Sequence, residues 1–260
     1  MEPRGLMGGF YRISEWIMRL SVINVLWIIC SIPFIIVAWG GLMVTPAQVA
    51  DKDITDQLSS AFILMAIVAP FTLFPATAAM FSVARKWVMG ETDVPLFKTF
   101  FRTYKENYLQ AMIGGIVYTL LIGIMIVDFY VYQKQLNLVS YIFIALMILL
   151  IVSLFNFFSM LAHYHMKTFQ LLKNAVLITI GRPIRSFSTA IMAALVFYMS
   201  TRFTFLIPFF MGSIIAYLSF WNFYLIYQKL QEQAEKAKRA EEEENEFAAL
   251  TDEESNPTNK

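Results

Sequence analysis

Six stretches of the chain are apolar enough, and long enough, to cross a bilayer. They fall at 21–43, 61–81, 109–131, 139–162, 186–201 and 203–225. A hydrocarbon core about 30 Å thick needs about 20 apolar residues as helix. Lipid offers the backbone no hydrogen bonds, so runs this continuous predict helices and not barrel strands. One acidic or basic side chain, Asp128, lies inside these windows, near an end. Arg202 separates the last two windows and, with Ser200 and Thr201, reads as a tight turn at a membrane surface. One over-long helix would instead bury an arginine in hydrocarbon. The first run is too long for a signal peptide and is followed by no small-x-small cleavage site, so it is expected to stay in the mature protein.

An amphipathic segment precedes each odd-numbered span. Phe10, Ile13, Ile17 and Leu20 recur at helical spacing in residues 1–20, with Arg12, Glu15 and Arg19 on another face. Phe97, Phe100, Phe101, Tyr104 and Tyr108 form an aromatic stripe opposite Lys98, Arg102 and Lys105, with Pro95 suited to a first turn. Met166, Phe169, Leu172, Val176 and Ile180 line one side of a third segment, which Gly181 and Pro183 end. Aromatic and basic helices at this depth lie in the headgroup layer, and the same faces could dock a partner.

Composition sharpens the class. Hydrophobic residues make up 58% of the 260 residues and charged residues 15%, too little polar surface for a water-soluble fold. The 20 Lys and Arg residues divide unevenly between alternate segments. Seventeen fall on the side of the N-terminus, the 82–108 loop, the 163–185 loop and the tail. Lys52, Lys134 and Arg202 alone fall on the other. Basic segments face the cytoplasm, so both termini are expected inside. The expected architecture is an all-α integral membrane protein with six transmembrane helices and cytoplasmic interfacial helices. Residues 1–20 form the first interfacial helix and 21–227 the membrane domain. Residues 228–260 form a charged tail, helical through the Glu232–Lys236 and Glu235–Arg239 pairs and then disordered.

Polar residues inside the spans are candidate sites. Asn24, Thr77, Asn156 and Asn222 all lie toward the basic side, and Pro75 is expected to kink the second helix. They read either as a polar vestibule open to the cytoplasm or as ordinary links between helices. No acidic or basic residue sits near the midplane, which counts against ion-coupled transport. No phosphate-binding G-x-x-x-x-G-K-[ST] loop is present. His163 and His165 stand two apart, do not share a helix face and have no Cys or acidic residue beside them, so a metal site is not expected. Cys30 reads as a small core residue. No cofactor is implied. The basic patches are short and lie at the bilayer, so anionic lipid suits them better than nucleic acid.

The stretch LFPATAAMFSVARKWVMGETDVPLFKTFFRTYKENYLQA (73–111) and the opening MEPRGLMGGFYRISEWIMRL resemble the YesL family of bacterial integral membrane proteins. MLAHYHMKTFQLLKNAVLITIGRP (160–183) resembles it too, and the likeness covers residues 1–225. Phe74, Pro75, Ala79, Arg85, Phe97, Phe100 and Asn107 carry it. The resemblance implies a plasma-membrane protein of a family with no assigned activity. Such members are often encoded beside carbohydrate ABC importers, which implies by association a role in sugar uptake.

Two functional expectations follow. One is an accessory or regulatory subunit of a carbohydrate ABC importer, with Arg85, Phe97, Lys98, Phe100, Arg102 and Lys105 docking either that partner or membrane lipid. The other is an independent transporter of a small neutral solute such as a sugar. An ABC permease proper is disfavoured because no E-A-A-x-x-x-G loop is present. An enzyme is not expected, because the intramembrane Asn, Ser and Thr assemble no acid–base set.

Overall fold

The computed structural model describes residues 6–43, 54–133 and 137–255, and every element among them is helical. The loops carrying Lys52 and Lys134, and the ends carrying Arg4 and Lys260, lie outside the described residues. Six helical stretches among the described residues are long and apolar enough to cross a membrane: Gly9–Cys30, Ser59–Val88, Leu96–Tyr132, Tyr141–His163, Pro183–Arg202 and Ile207–Glu243. The protein is therefore an all-α, multi-pass membrane protein, as its hydrophobic pattern predicts. The helices are α1 (Leu6–Cys30), α2 (Ile32–Leu42), α3 (Ile54–Val88), α4 (Leu96–Gln133), α5 (Asn137–His163), α6 (Thr168–Gly181), α7 (Pro183–Arg202) and α8 (Gly212–Ser255). A π-helical turn, Ile207–Met211, lies just before α8.

Helix boundaries follow the breakers more closely than the change from amphipathic to apolar. α1 runs through the 20/21 boundary without interruption, because nothing there stops a helix. The break comes at Ser31 instead, between α1 and α2. Pro33 explains it: its ring crowds the carbonyl of Ile29, and it has no N–H to donate there. α4 likewise joins the aromatic segment and the third span in one helix. Only α6 is separate, because Gly181, Arg182 and Pro183 end it and start α7. The fifth and sixth spans are two helices, but the reversal falls at 203–206, one turn later than expected. Arg202 is the last residue of α7, its guanidinium lying 5.5 Å from the Tyr198 ring centroid.

The chain divides into two units, Met1–Asn222 and Phe223–Lys260. In the first, α3 packs extensively on α4, and both pack on α5. Membrane helices gain no hydrophobic drive from meeting, so small residues must let them approach. Gly114 and Gly115 do this for α4. A Cβ on Gly114 would collide with the Phe157 ring, and one on Gly115 would lie 2.8 Å from Cγ of Phe74 and 3.0 Å from Cα of Pro70. Phe74, Phe81, Phe157 and Phe158 form the aromatic core around this contact, with Phe74–Phe158 and Phe81–Phe158 centroids 5.6 and 5.5 Å apart.

α6 turns a different face inward from the one its bulky residues suggest. Leu171, Ala175 and Thr179 are buried, whereas Phe169, Val176 and Ile180 are exposed. The small residues at 175 and 179 permit close packing, and the bulky stripe is left outward, where lipid can cover it. The second unit is the remainder of α8 from Phe223. Residues 228–243 are exposed, as a water-facing charged helix requires. The helix continues to Ser255, beyond where acidic repulsion was expected to end it. Glu and Ala are good helix formers, and Pro257 supplies the next sequence-encoded stop.

Candidate functional site

The polar residues that the sequence marks inside the spans take separate partners. Asn24 is fully buried on α1. Its Nδ2 donates to the carbonyls of Ile207 (3.0 Å) and Pro208 (2.8 Å), and its Oδ1 accepts from the Ser213 amide (3.0 Å). One side-chain amide thus spans the π-helical turn. Gly212 is what lets it approach: a Cβ there would lie 2.9 Å from Asn24 Oδ1.

Thr77 accepts from Trp27 Nε1 at 2.9 Å and donates to the Leu73 carbonyl at 2.7 Å, linking α1 to α3. Asn156 donates to Thr179 Oγ1 at 2.9 Å, and Ser186 Oγ donates to the Thr179 carbonyl at 2.7 Å. That chain ties α5, α6 and α7. Asn222 donates to Thr189 Oγ1 (2.7 Å) and to the Arg185 carbonyl (2.8 Å), linking α8 to α7. Each of the four therefore closes a different helix contact, and no hydrogen bond joins one of them to another. A groove of about 650 Å³ does lie between α3 and α4, but Ile63, Pro70, Phe71, Leu120, Gly123 and Val127 make it apolar, and none of the four lines it.

Pro75 lies inside the continuous helix α3. Lacking an N–H, it frees the carbonyl of Phe71, four residues earlier. Tyr108 of α4 donates its hydroxyl to that carbonyl at 3.1 Å. Sequence reasoning placed Tyr108 in an aromatic stripe and missed this role. The signal was available in principle, since a proline in a span leaves a carbonyl that some donor must satisfy.

The basic residues do not all share one face. Phe97, Lys98, Phe101, Arg102 and Lys105 are exposed on the first turns of α4, with Arg102 3.7 Å from Glu106. Phe100, expected on that docking surface, is fully buried. Successive helical residues point about 100° apart, so Phe100 turns inward with Thr99 and Thr103 while Phe101 takes its place outside. Arg85 stands apart on α3, half-buried, with its Nε 3.4 Å from His163 Nδ1. Lys86 Nζ bonds Glu91 at 2.9 Å, and that hydrogen bond, followed by the Lys86 and Arg85 charges, holds the Glu91 carboxyl below its ordinary pKa. No cluster of three or more His, Cys, Asp or Glu able to hold a metal ion occurs among the described residues.

A family model described as "Protein of unknown function, DUF624" matches residues 20–129, from Leu20 into the third span. The uncharacterized protein YesV of Bacillus subtilis is 30% identical over 140 residues, covering 52% of this chain and 67% of YesV. The chain belongs to the DUF624 family. Two further relatives of the same organism, the uncharacterized proteins YteU and YesL, are 26% and 27% identical over 220 and 209 residues. Those matches cover 84% and 80% of this chain and 84% of each relative. No solved structure matches. The segment matched by the DUF624 model contains the Tyr108–Phe71 link, Arg85 and the exposed α4 face, so the resemblance to YesL read from 73–111 rests on residues with definite structural positions.

Proposed function

We propose that this DUF624 protein is an accessory or regulatory membrane component of carbohydrate uptake, acting from its cytoplasmic face. The partner in this reading is a subunit of a carbohydrate ABC importer. Both termini lie in the cytoplasm of a bacterial plasma membrane, on the strength of the seventeen-to-three division of basic residues. One observation carries the docking role. Asn24, Thr77, Asn156 and Asn222 are committed to holding helices together, while Phe97, Lys98, Phe101, Arg102 and Lys105 present aromatic and cationic groups outward. Aromatic side chains with an adjacent arginine are the groups that anchor interfaces.

The test is chemical crosslinking in native membranes followed by gentle purification. An importer subunit should co-purify, and Arg102→Glu with Lys105→Glu should reduce its recovery severalfold. Undiminished recovery from the double variant would remove the α4 face from the reading. Recovery of the protein alone, alongside intact membrane complexes, would remove the accessory role. It would shift weight to transport of a neutral solute, for which liposome flux with sugars is the direct assay.

A further inference from the structure

Arg85 sits near the end of α3, preceded by the fully buried Val83 and Ala84 and followed, two residues on, by the buried Trp87. It is itself half-buried. Its Nε–H donates to Nδ1 of His163, at the end of α5, 3.4 Å away. A histidine that accepts at Nδ1 is neutral, so this partner orients the guanidinium without balancing its charge. Among the described residues no carboxylate lies within ion-pair distance of Arg85. Glu91 is near enough to feel its charge but gives its oxygen to Lys86. A guanidinium carries five N–H groups in a planar fork, and the imidazole uses one.

A partly desolvated cation without a counter-charge is costly. The ends of two membrane-length helices, at Val88 and His163, meet here, and beside the end of a span the abundant anion is a phosphodiester. The guanidinium fork matches two phosphate oxygens at once, which an ammonium does not. We propose that Arg85, oriented by His163, binds the phosphate of an anionic phospholipid headgroup. This site is separate from the α4 docking face and does not depend on the function proposed above.

Native mass spectrometry of the full chain, delipidated in mild detergent, tests it with added phosphatidylglycerol and with phosphatidylcholine. The parent should retain phosphatidylglycerol preferentially. Arg85→Gln should lower that retention about tenfold, the size expected for losing a charge-assisted pair. Lys236→Gln with Lys238→Gln, on the exposed charged end of α8, should leave it unchanged. If Arg85→Gln unfolds, Arg85→Lys keeps the charge without the fork and should still bind several-fold more weakly at an unchanged melting temperature. Equal retention by a folded Arg85 variant would overturn the site. Complete displacement by excess inorganic phosphate would overturn the lipid as its source.

Discussion

Replacing Asn24 by leucine tests whether one side chain holds the sixth span to the first. Leucine keeps the same branched skeleton of heavy atoms, so the change removes hydrogen bonds without opening a cavity. Three bonds are lost, to Ile207, Pro208 and Ser213. Interhelical bonds in membrane proteins average about 0.6 kcal/mol and reach about 1.7, so the loss should be about 2 kcal/mol and at most about 5. The assay is reversible unfolding in mixed micelles titrated with sodium dodecyl sulfate, followed by tryptophan fluorescence. The midpoint should fall accordingly. A double-mutant cycle with Gly212→Ala sharpens the test. The added methyl would lie 2.9 Å from Asn24 Oδ1, so it should cost less in an Asn24→Ala background. Near-additive costs, or an unchanged midpoint for Asn24→Leu, would refute the clamp.

Gly115→Ala should destabilise by about 1–3 kcal/mol, because its Cβ meets the backbone of Pro70, whereas Gly123→Ala, which meets nothing within 4 Å, should be neutral or slightly stabilising in the same titration. Tyr108→Phe should cost about 1 kcal/mol, and less when Pro75→Ala restores a backbone donor for the Phe71 carbonyl; equal costs in both backgrounds would sever the link between them. Glu91 should titrate below an ordinary glutamate by carbon-detected NMR and return upward in Lys86→Gln. Because its folded pKa is depressed, the pair's small contribution is present above the unfolded glutamate pKa and fades as pH falls through the folded one. A Glu91 pKa unmoved by Lys86→Gln would contradict that cause.

The six spans were legible because a bilayer demands about 20 apolar residues, a length no shorter pattern imitates. The boundaries were less so. A fall in polarity between Leu20 and Ser21, or between Tyr108 and Leu109, changes what surrounds the helix and not the helix itself. Pro33, Gly181 and Pro183 change the backbone, and the breaks are found beside them. Phe100 and Phe101 illustrate a second limit. An aromatic run fixes that one face is buried, but which member turns inward depends on neighbours such as Thr99 and Thr103. The partners of Asn24, Asn156 and Asn222 were not legible at all. Span periodicity gives the depth of a polar group and says nothing of which other helix comes to meet it.

The Asn24 clamp has a consequence for how the protein is made. Asn24 and its acceptor Ile207 are 183 residues apart in sequence. At a synthesis rate of about 5–20 residues per second, roughly 10–40 s separate the emergence of the two. Throughout that interval the first span carries an amide whose permanent partners do not yet exist. The bundle therefore cannot close around its first helix as synthesis proceeds. Its first and last spans must be joined at the end, and until then Asn24 needs a temporary host in the insertion machinery or a place near the headgroups.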